Sequence, residues 1–207
     1  MCKFYLAAMF TELLNFFSPH VTLTPDDLQF LSSKMDQCSF KKKENLIETG
    51  EVENYVHLVK KGLTRRFFYK GKTEFVTQFV KEGAISTSAA SFLSGKPSRY
   101  TIEAMEPVET LRVSKATIDL LYDKDKKWER VGRIITAHFL LEQEKHILDD
   151  VRLSVRQRFV KFVTENPELV MRVPQKYLAS YLSIKQETFS RMKHLMLEKQ
   201  NRKILNH

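Results

Sequence analysis

Apolar residues keep two different rhythms along this chain. From Glu44 to Ser114 they come in short runs, "ENLIETG", "NYVHLVKKG", "LTRRFFYKGK", "TEFVTQFV", "RYTIEAME" and "VETLRVS", rich in β-branched and aromatic residues. Glycines and charged turns separate the runs, with Lys70-Gly71-Lys72 as a hairpin tip. Such spacing predicts an antiparallel sandwich or jelly roll. Between the fourth and fifth runs, "KEGAISTSAASFLSGKPS" is too long for a hairpin turn and predicts one short helix, "SAASFL".

Elsewhere the period is helical. In "LTPDDLQFLSSKM", Thr24 can N-cap, Pro25 suits the first helical position, and Asp26 and Asp27 favour the positive end of the helix dipole. The apolar run near the N-terminus is interrupted by Glu12 and Asn15 and ends at Ser18-Pro19, so it predicts an amphipathic helix rather than a signal peptide. From about Ala116 one long helix is expected, with Trp128, Val131, Ile134, Ile135, His138, Leu141 and Leu148 recurring at threes and fours. That stripe fits a helix packed on its own core, or one paired with its copy in a dimer, with Val131, Ile135 and His138 at the seam. Another amphipathic helix, "SVRQRFVKFVTEN", runs to Pro167, followed by "VMRV", which reads as a short strand. The fold class expected is α+β.

The segment "VPQKYLASYLSIKQETFSRMKHLM", Val173 to Met196, holds two helical patterns either side of Ser183-Ile184-Lys185. On a helical wheel Gln186, Glu187, Ser190, Arg191, Lys193 and His194 fall on one continuous face, and Ile184, Thr188, Phe189, Met192, Leu195 and Met196 on the other. Leu178, Ala179 and Leu182 of the preceding helix can meet that apolar face, with Ala179 small where the helices must approach closely. This is a helix-turn-helix. Its polar face carries base-reading chemistry: Gln can pair with adenine, Arg with guanine, and Glu can accept from cytosine N4. Gln186 and Glu187 lie in the first turn, where recognition helices meet bases.

Charge sharpens this picture. Residues 1–150 hold 22 Lys and Arg against 21 Asp and Glu, whereas residues 151–207 hold 12 against 4. A basic excess confined to the segment with the helix-turn-helix points to nucleic acid or an anionic surface. At 207 residues and 43% apolar composition the chain can bury one large or two small cores. Two cysteines, Cys2 and Cys38, give no disulfide or metal spacing and suit a reduced compartment. No stretch approaches the roughly 20 apolar residues of a membrane span.

On these residues the chain resembles the Crp/Fnr-like transcription regulators of bacteria, the catabolite activator protein family. "VPQKYLASYLSIKQETFSRMKHL" is similar to the family's Q-x-x-I-A-x-x-L-G-x-x-x-E-T-x-S-R pattern, and the order of roll, long helix and helix-turn-helix also matches. The resemblance implies three segments: residues 1–120 a sensory β-roll like a cyclic-nucleotide-binding domain, 121–150 a linking and dimerisation helix, and 151–207 the DNA-binding domain. It places base reading on Gln186, Glu187 and Arg191 and phosphate contact on Gln175 and neighbouring basic residues, with Ser190 and Lys193 on the same polar face. Ser183 stands where the turn glycine is usual, and the tail after the recognition helix is too short for a full β-hairpin wing.

The resemblance also implies a nucleotide cassette, in which a Gly-Glu pair opens a short helix and an arginine before the next strand holds the cyclic phosphate. Here Thr87-Ser88 replaces the pair and Ser98 replaces the arginine. Arg99 lies one residue later, which on a strand is the opposite face. Cyclic AMP binding is therefore not expected, and no cofactor is expected in its place. An iron–sulfur sensor needs about four thiolates, and the histidines are too scattered for a cupin-type enzyme. The expected protein is a cytoplasmic homodimeric regulator of double-stranded DNA and not an enzyme. RNA polymerase and an unidentified small effector are further partners the resemblance allows. The alternatives are a sensor or scaffold whose basic C-terminal domain binds protein, and a jelly-roll enzyme, for which no catalytic constellation is visible.

Overall fold

The computed structural model describes residues 21–205, with side chains described as far as Met196. The expected N-terminal helix and Cys2 lie outside these residues. Among the described residues eight strands form two four-stranded sheets: β1 (Asp36–Phe40), β8 (Val108–Ser114), β3 (Tyr55–Lys61) and β6 (Ile85–Ser86) in one, and β2 (Asn45–Ile47), β7 (Thr101–Ala104), β4 (Thr64–Lys70) and β5 (Thr73–Val80) in the other. The mixed α+β architecture with an antiparallel jelly roll is as the sequence leads one to expect.

Helix α1 (Pro25–Ser33) starts as the sequence signals: Thr24 Oγ1 accepts from the Asp27 N–H and the Asp27 carboxylate accepts from the Thr24 N–H, a capping box. The helix α2 (Ala89–Ser94) occupies the small-residue segment. Inside the sandwich, Val59, Val80, Ala104 and Val108 make one core cluster, joined by Phe40, Leu46 and Ala84. Gly62 is required where β3 turns into β4. Its φ is +93°, and a Cβ there would lie 2.4 Å from the Pro107 carbonyl oxygen.

Two expectations change, and two strands went unread. The long helix from Ala116 is two helices, α3 (Lys115–Lys124) and α4 (Lys126–Arg152), because Asp125 between them is extended at φ −160° and its carboxylate accepts from the Lys127 N–H to begin α4 anew. The "VMRV" stretch is not a strand: Val170–Arg172 belong to the helix α6 (Pro167–Arg172), which follows α5 (Val155–Glu165). Pro167 at the first position and Glu168 in the first turn start a helix there, and Leu169 buries against the unit. Strands β1 and β6 were not legible: β1 is polar and largely exposed, and β6 has two residues, so both take their order from a partner backbone.

The described residues fall into two compact units, one within Met1–Phe68 and Gln78–Phe139, the other within Tyr69–Thr77 and Leu140–His207. In the second, α7 (Gln175–Tyr181) and α8 (Gln186–Leu205) make the helix-turn-helix. The tip of the β4–β5 hairpin belongs to this unit too: the Ser180 hydroxyl accepts from the Val76 N–H at 3.0 Å and donates to the Glu74 carbonyl at 2.9 Å.

Candidate DNA interface and the site within the roll

In the second unit, Leu178, Ala179 and Leu182 of α7 and its turn are buried, as is Phe189 of α8. Phe189 stands edge-on to Phe159 with centroids 5.2 Å apart, tying α8 to α5. Tyr181 packs against Phe162 and stacks on His146 of α4, both at 5.3 Å, and burial pushes its hydroxyl up to about 12. Lys161 pairs with Asp149, and Arg158 donates to the Asp150 and Leu153 carbonyls. The result is a small packed platform for α8.

The α7–α8 turn resolves the missing glycine directly. Ser183 adopts φ +56°, its N–H donates to the Ser180 carbonyl, and the Ile184 N–H reaches back to the Ala179 carbonyl. These two bonds are the Schellman arrangement, closed here by a serine that accepts left-handed strain of about 1 kcal/mol.

With that turn fixed, Gln186, Glu187, Ser190 and Arg191 are exposed side by side, and His194 continues the face. Lys193 and Gln175 are half-buried. Among the described residues no hydrogen bond or ion pair engages the side chains of Gln186, Glu187, Ser190 or Arg191. Their donors and acceptors point outward uncommitted, which is the condition for hydrogen bonding to base edges. On the other face Leu195 is exposed rather than covered, while Phe189 is fully buried.

The cassette-like site in the roll is closed by its own residues. Ser98 is buried and Arg99 exposed. The Ser98 hydroxyl donates to the Tyr100 carbonyl at 2.7 Å and accepts from the Tyr100 N–H at 3.1 Å. It has one proton, so in its 2.8 Å contact with the Ser88 hydroxyl it must be the acceptor. Thr87 spends its hydroxyl on the Tyr55 carbonyl. A residue that the sequence reading missed completes the closure: the buried Glu53 carboxylate accepts from the Ser88 N–H at 3.2 Å and the Tyr55 N–H at 3.1 Å, and its backbone N–H donates to the Ser91 hydroxyl. Burial raises the Glu53 carboxyl above its ordinary range, against backbone bonds that favour the anion. The available signal was a second acid, after Glu51, just ahead of an apolar strand.

Of the expected seam residues, Val131 and Ile135 line a cavity within the first unit, and His138 is exposed. Val131, Ile135 and Phe139 form one stripe at spacings of four, and that stripe faces the roll. Exposed apolar residues lie instead further along α4, at Leu141, Leu148 and Val151. His57 lies inside the sandwich, bonded through Nδ1 to the Thr110 hydroxyl at 3.1 Å. Among the described residues no three His, Cys, Asp or Glu side chains cluster as a metal site, and no helix is long and apolar enough to cross a membrane.

Residues 37–125 match the cyclic nucleotide-binding domain. No curated protein sequence matches the chain. Among solved structures, FixK2 from Bradyrhizobium japonicum superposes with a TM-score of 0.71 at 20% identity, over 80% of this chain and 86% of that one. The c-di-GMP responsive global regulator CLP of Xanthomonas campestris gives 0.67 at 14%, over 83% and 91%. The catabolite activator protein of Thermus thermophilus gives 0.53 at 18%, over 89% and 87%. Residues 37–125 are thus similar to the cyclic nucleotide-binding domain, and the chain as a whole has a fold similar to those of FixK2, CLP and the Thermus catabolite activator protein.

Proposed function

We propose that the protein is a homodimeric transcription regulator that reads an inverted-repeat operator in double-stranded DNA, in the bacterial cytoplasm, without enzymatic activity. The observation that carries this reading is the uncommitted polar face of α8, Gln186, Glu187, Ser190 and Arg191, held outward by a packed platform in the basic segment. A second copy would be recruited along the exposed apolar residues Leu141, Leu148 and Val151 of α4. RNA polymerase is the partner such a regulator would act on.

Selection of bound sequences from random DNA tests it. The expected result is an inverted repeat with half-sites roughly 10 bp apart, and affinity that falls steeply with salt as basic residues displace counterions. Arg191→Ala and Glu187→Ala should each cost about 1–3 kcal/mol on the selected site and relax preference at one base position. Asymmetric or unenriched sequences would favour a protein-interaction role for the basic domain.

The roll's effector is not a cyclic nucleotide in this reading. Ser98 has no hydrogen-bonding capacity left for a phosphate, and the Glu53 carboxyl lies against Ser88, so an entering anion would meet like charge without a guanidinium to offset its desolvation. Calorimetric titration with cyclic AMP and cyclic GMP should show no saturable heat at low micromolar ligand. Saturable binding lost in Arg99→Ala would refute this.

A further inference from the structure

The first unit contains a cavity of about 180 Å³ that is separate in chemistry from the Ser88–Ser98 site. Val56 and Leu58 of β3 supply part of its floor, on the strand face opposite the His57–Thr110 pair. Phe92 of α2 closes one side, and Trp128, Val131 and Ile135 of α4 close another. No Lys, Arg, His, Asp or Glu is among the described residues that line it. A dry apolar cavity of about 150 Å³ is large enough to take benzene, so this one has room for a small ring with a substituent.

Among the described residues two wall groups with free donors break the apolar surface, the Trp128 indole N–H and the Tyr122 hydroxyl. Tyr122 of α3 lines the cavity, and among the described residues its hydroxyl has no hydrogen-bond partner. Its position depends on Gly132 of α4: a Cβ there would fall 1.9 Å from the Tyr122 oxygen. The other two hydroxyls of the lining are engaged, Thr87 with the Tyr55 carbonyl and Thr136 with the Gly132 carbonyl. A cavity of mostly hydrocarbon walls with two free donors, the Tyr122 hydroxyl and the Trp128 indole N–H, selects a neutral, mostly apolar ligand with an acceptor oxygen, and penalises an ion that would lose its water without a charged partner.

We propose that this cavity is a binding site for a small uncharged organic molecule, about the size of a substituted benzene ring, carrying one carbonyl or hydroxyl oxygen that accepts from Tyr122. The site lies against the first half of α4, whose second half belongs to the unit with the helix-turn-helix, so occupancy stabilises the start of that helix. That regulatory consequence rests on the DNA-binding reading above; the binding itself does not.

The test is titration of the full chain, without DNA, with toluene, acetophenone and benzoate. Calorimetry reads all three, and emission of Trp128, the chain's single tryptophan and a wall residue, gives a second readout for toluene. The expected result is saturable one-to-one binding of toluene and acetophenone, a shift in Trp128 emission, and no binding of benzoate. Tyr122→Phe should weaken acetophenone roughly 3- to 10-fold, the worth of one hydrogen bond, and leave toluene unchanged. Val131→Trp, if circular dichroism shows it folded, should abolish both. No saturable heat with either neutral probe would overturn the proposal, as would benzoate binding as tightly as acetophenone, or an equal effect of Tyr122→Phe on toluene and acetophenone.

Discussion

Phe189→Ala is expected to cost the second unit about 3–5 kcal/mol, the range for emptying a large buried aromatic site. Phe189 is fully buried, and its edge-on partner Phe159 is itself only 2% exposed, so neither ring can relax into solvent when the other is lost. The cavity would sit where α7, α5 and α8 meet, so the recognition face should lose its fixed orientation along with stability. Leu195→Ala, three residues after Met192 on the same helix but 53% exposed, should cost under about 0.5 kcal/mol. Thermal unfolding followed by circular dichroism gives both values. Equal effects of the two substitutions would show that Phe189 does not hold α8 in place.

Acid should destabilise the first unit through His57. Burial, and then the charge of Arg112, pull its imidazole down to about 4 from an ordinary 6.5. Because the folded state resists protonation, the unfolded state binds more protons between those values. Stability is therefore full above about pH 6.5 and is lost as pH falls through 4, by about 3 kcal/mol in all. The faces around the ring hold Arg112 stacked on Tyr55, with Asp36 3.8 Å from Arg112, and the neutral Thr110 hydroxyl. Glu53 acts in the opposite sense: its raised carboxyl favours folding while protonated and loses that contribution as pH rises above about 4.5. The difference between wild type and His57→Gln, measured by denaturant unfolding at each pH, cancels the Glu53 contribution. That difference should shift by about 3 kcal/mol between pH 7 and pH 4, and a flat difference would mean that His57 titrates normally.

Legibility in the sequence followed the range of the interaction. The helix-turn-helix was readable because its signals are local: Leu178, Ala179, Leu182 and Phe189 repeat at helical spacing, and all four are buried as that spacing implies. The Thr24 N-cap and the Lys70-Gly71-Lys72 hairpin tip were readable for the same reason, since each is settled within four residues. "VMRV" misled because its β-branched residues suggest a strand, whereas Pro167 and the burial of Leu169 committed the segment to a helix.

What the sequence by itself determined is the alternation and periodicity of the chain: a jelly roll of paired strands and a helix-turn-helix with its polar face. Tertiary structure decided the rest. Glu53 meets Ser88 across 35 positions, β1 is ordered only by β8, and Val131 and Ile135 turn toward the roll because sheet and helices enclose a cavity there. Periodicity says that a helix has an apolar stripe; only the packing of distant segments says what that stripe covers.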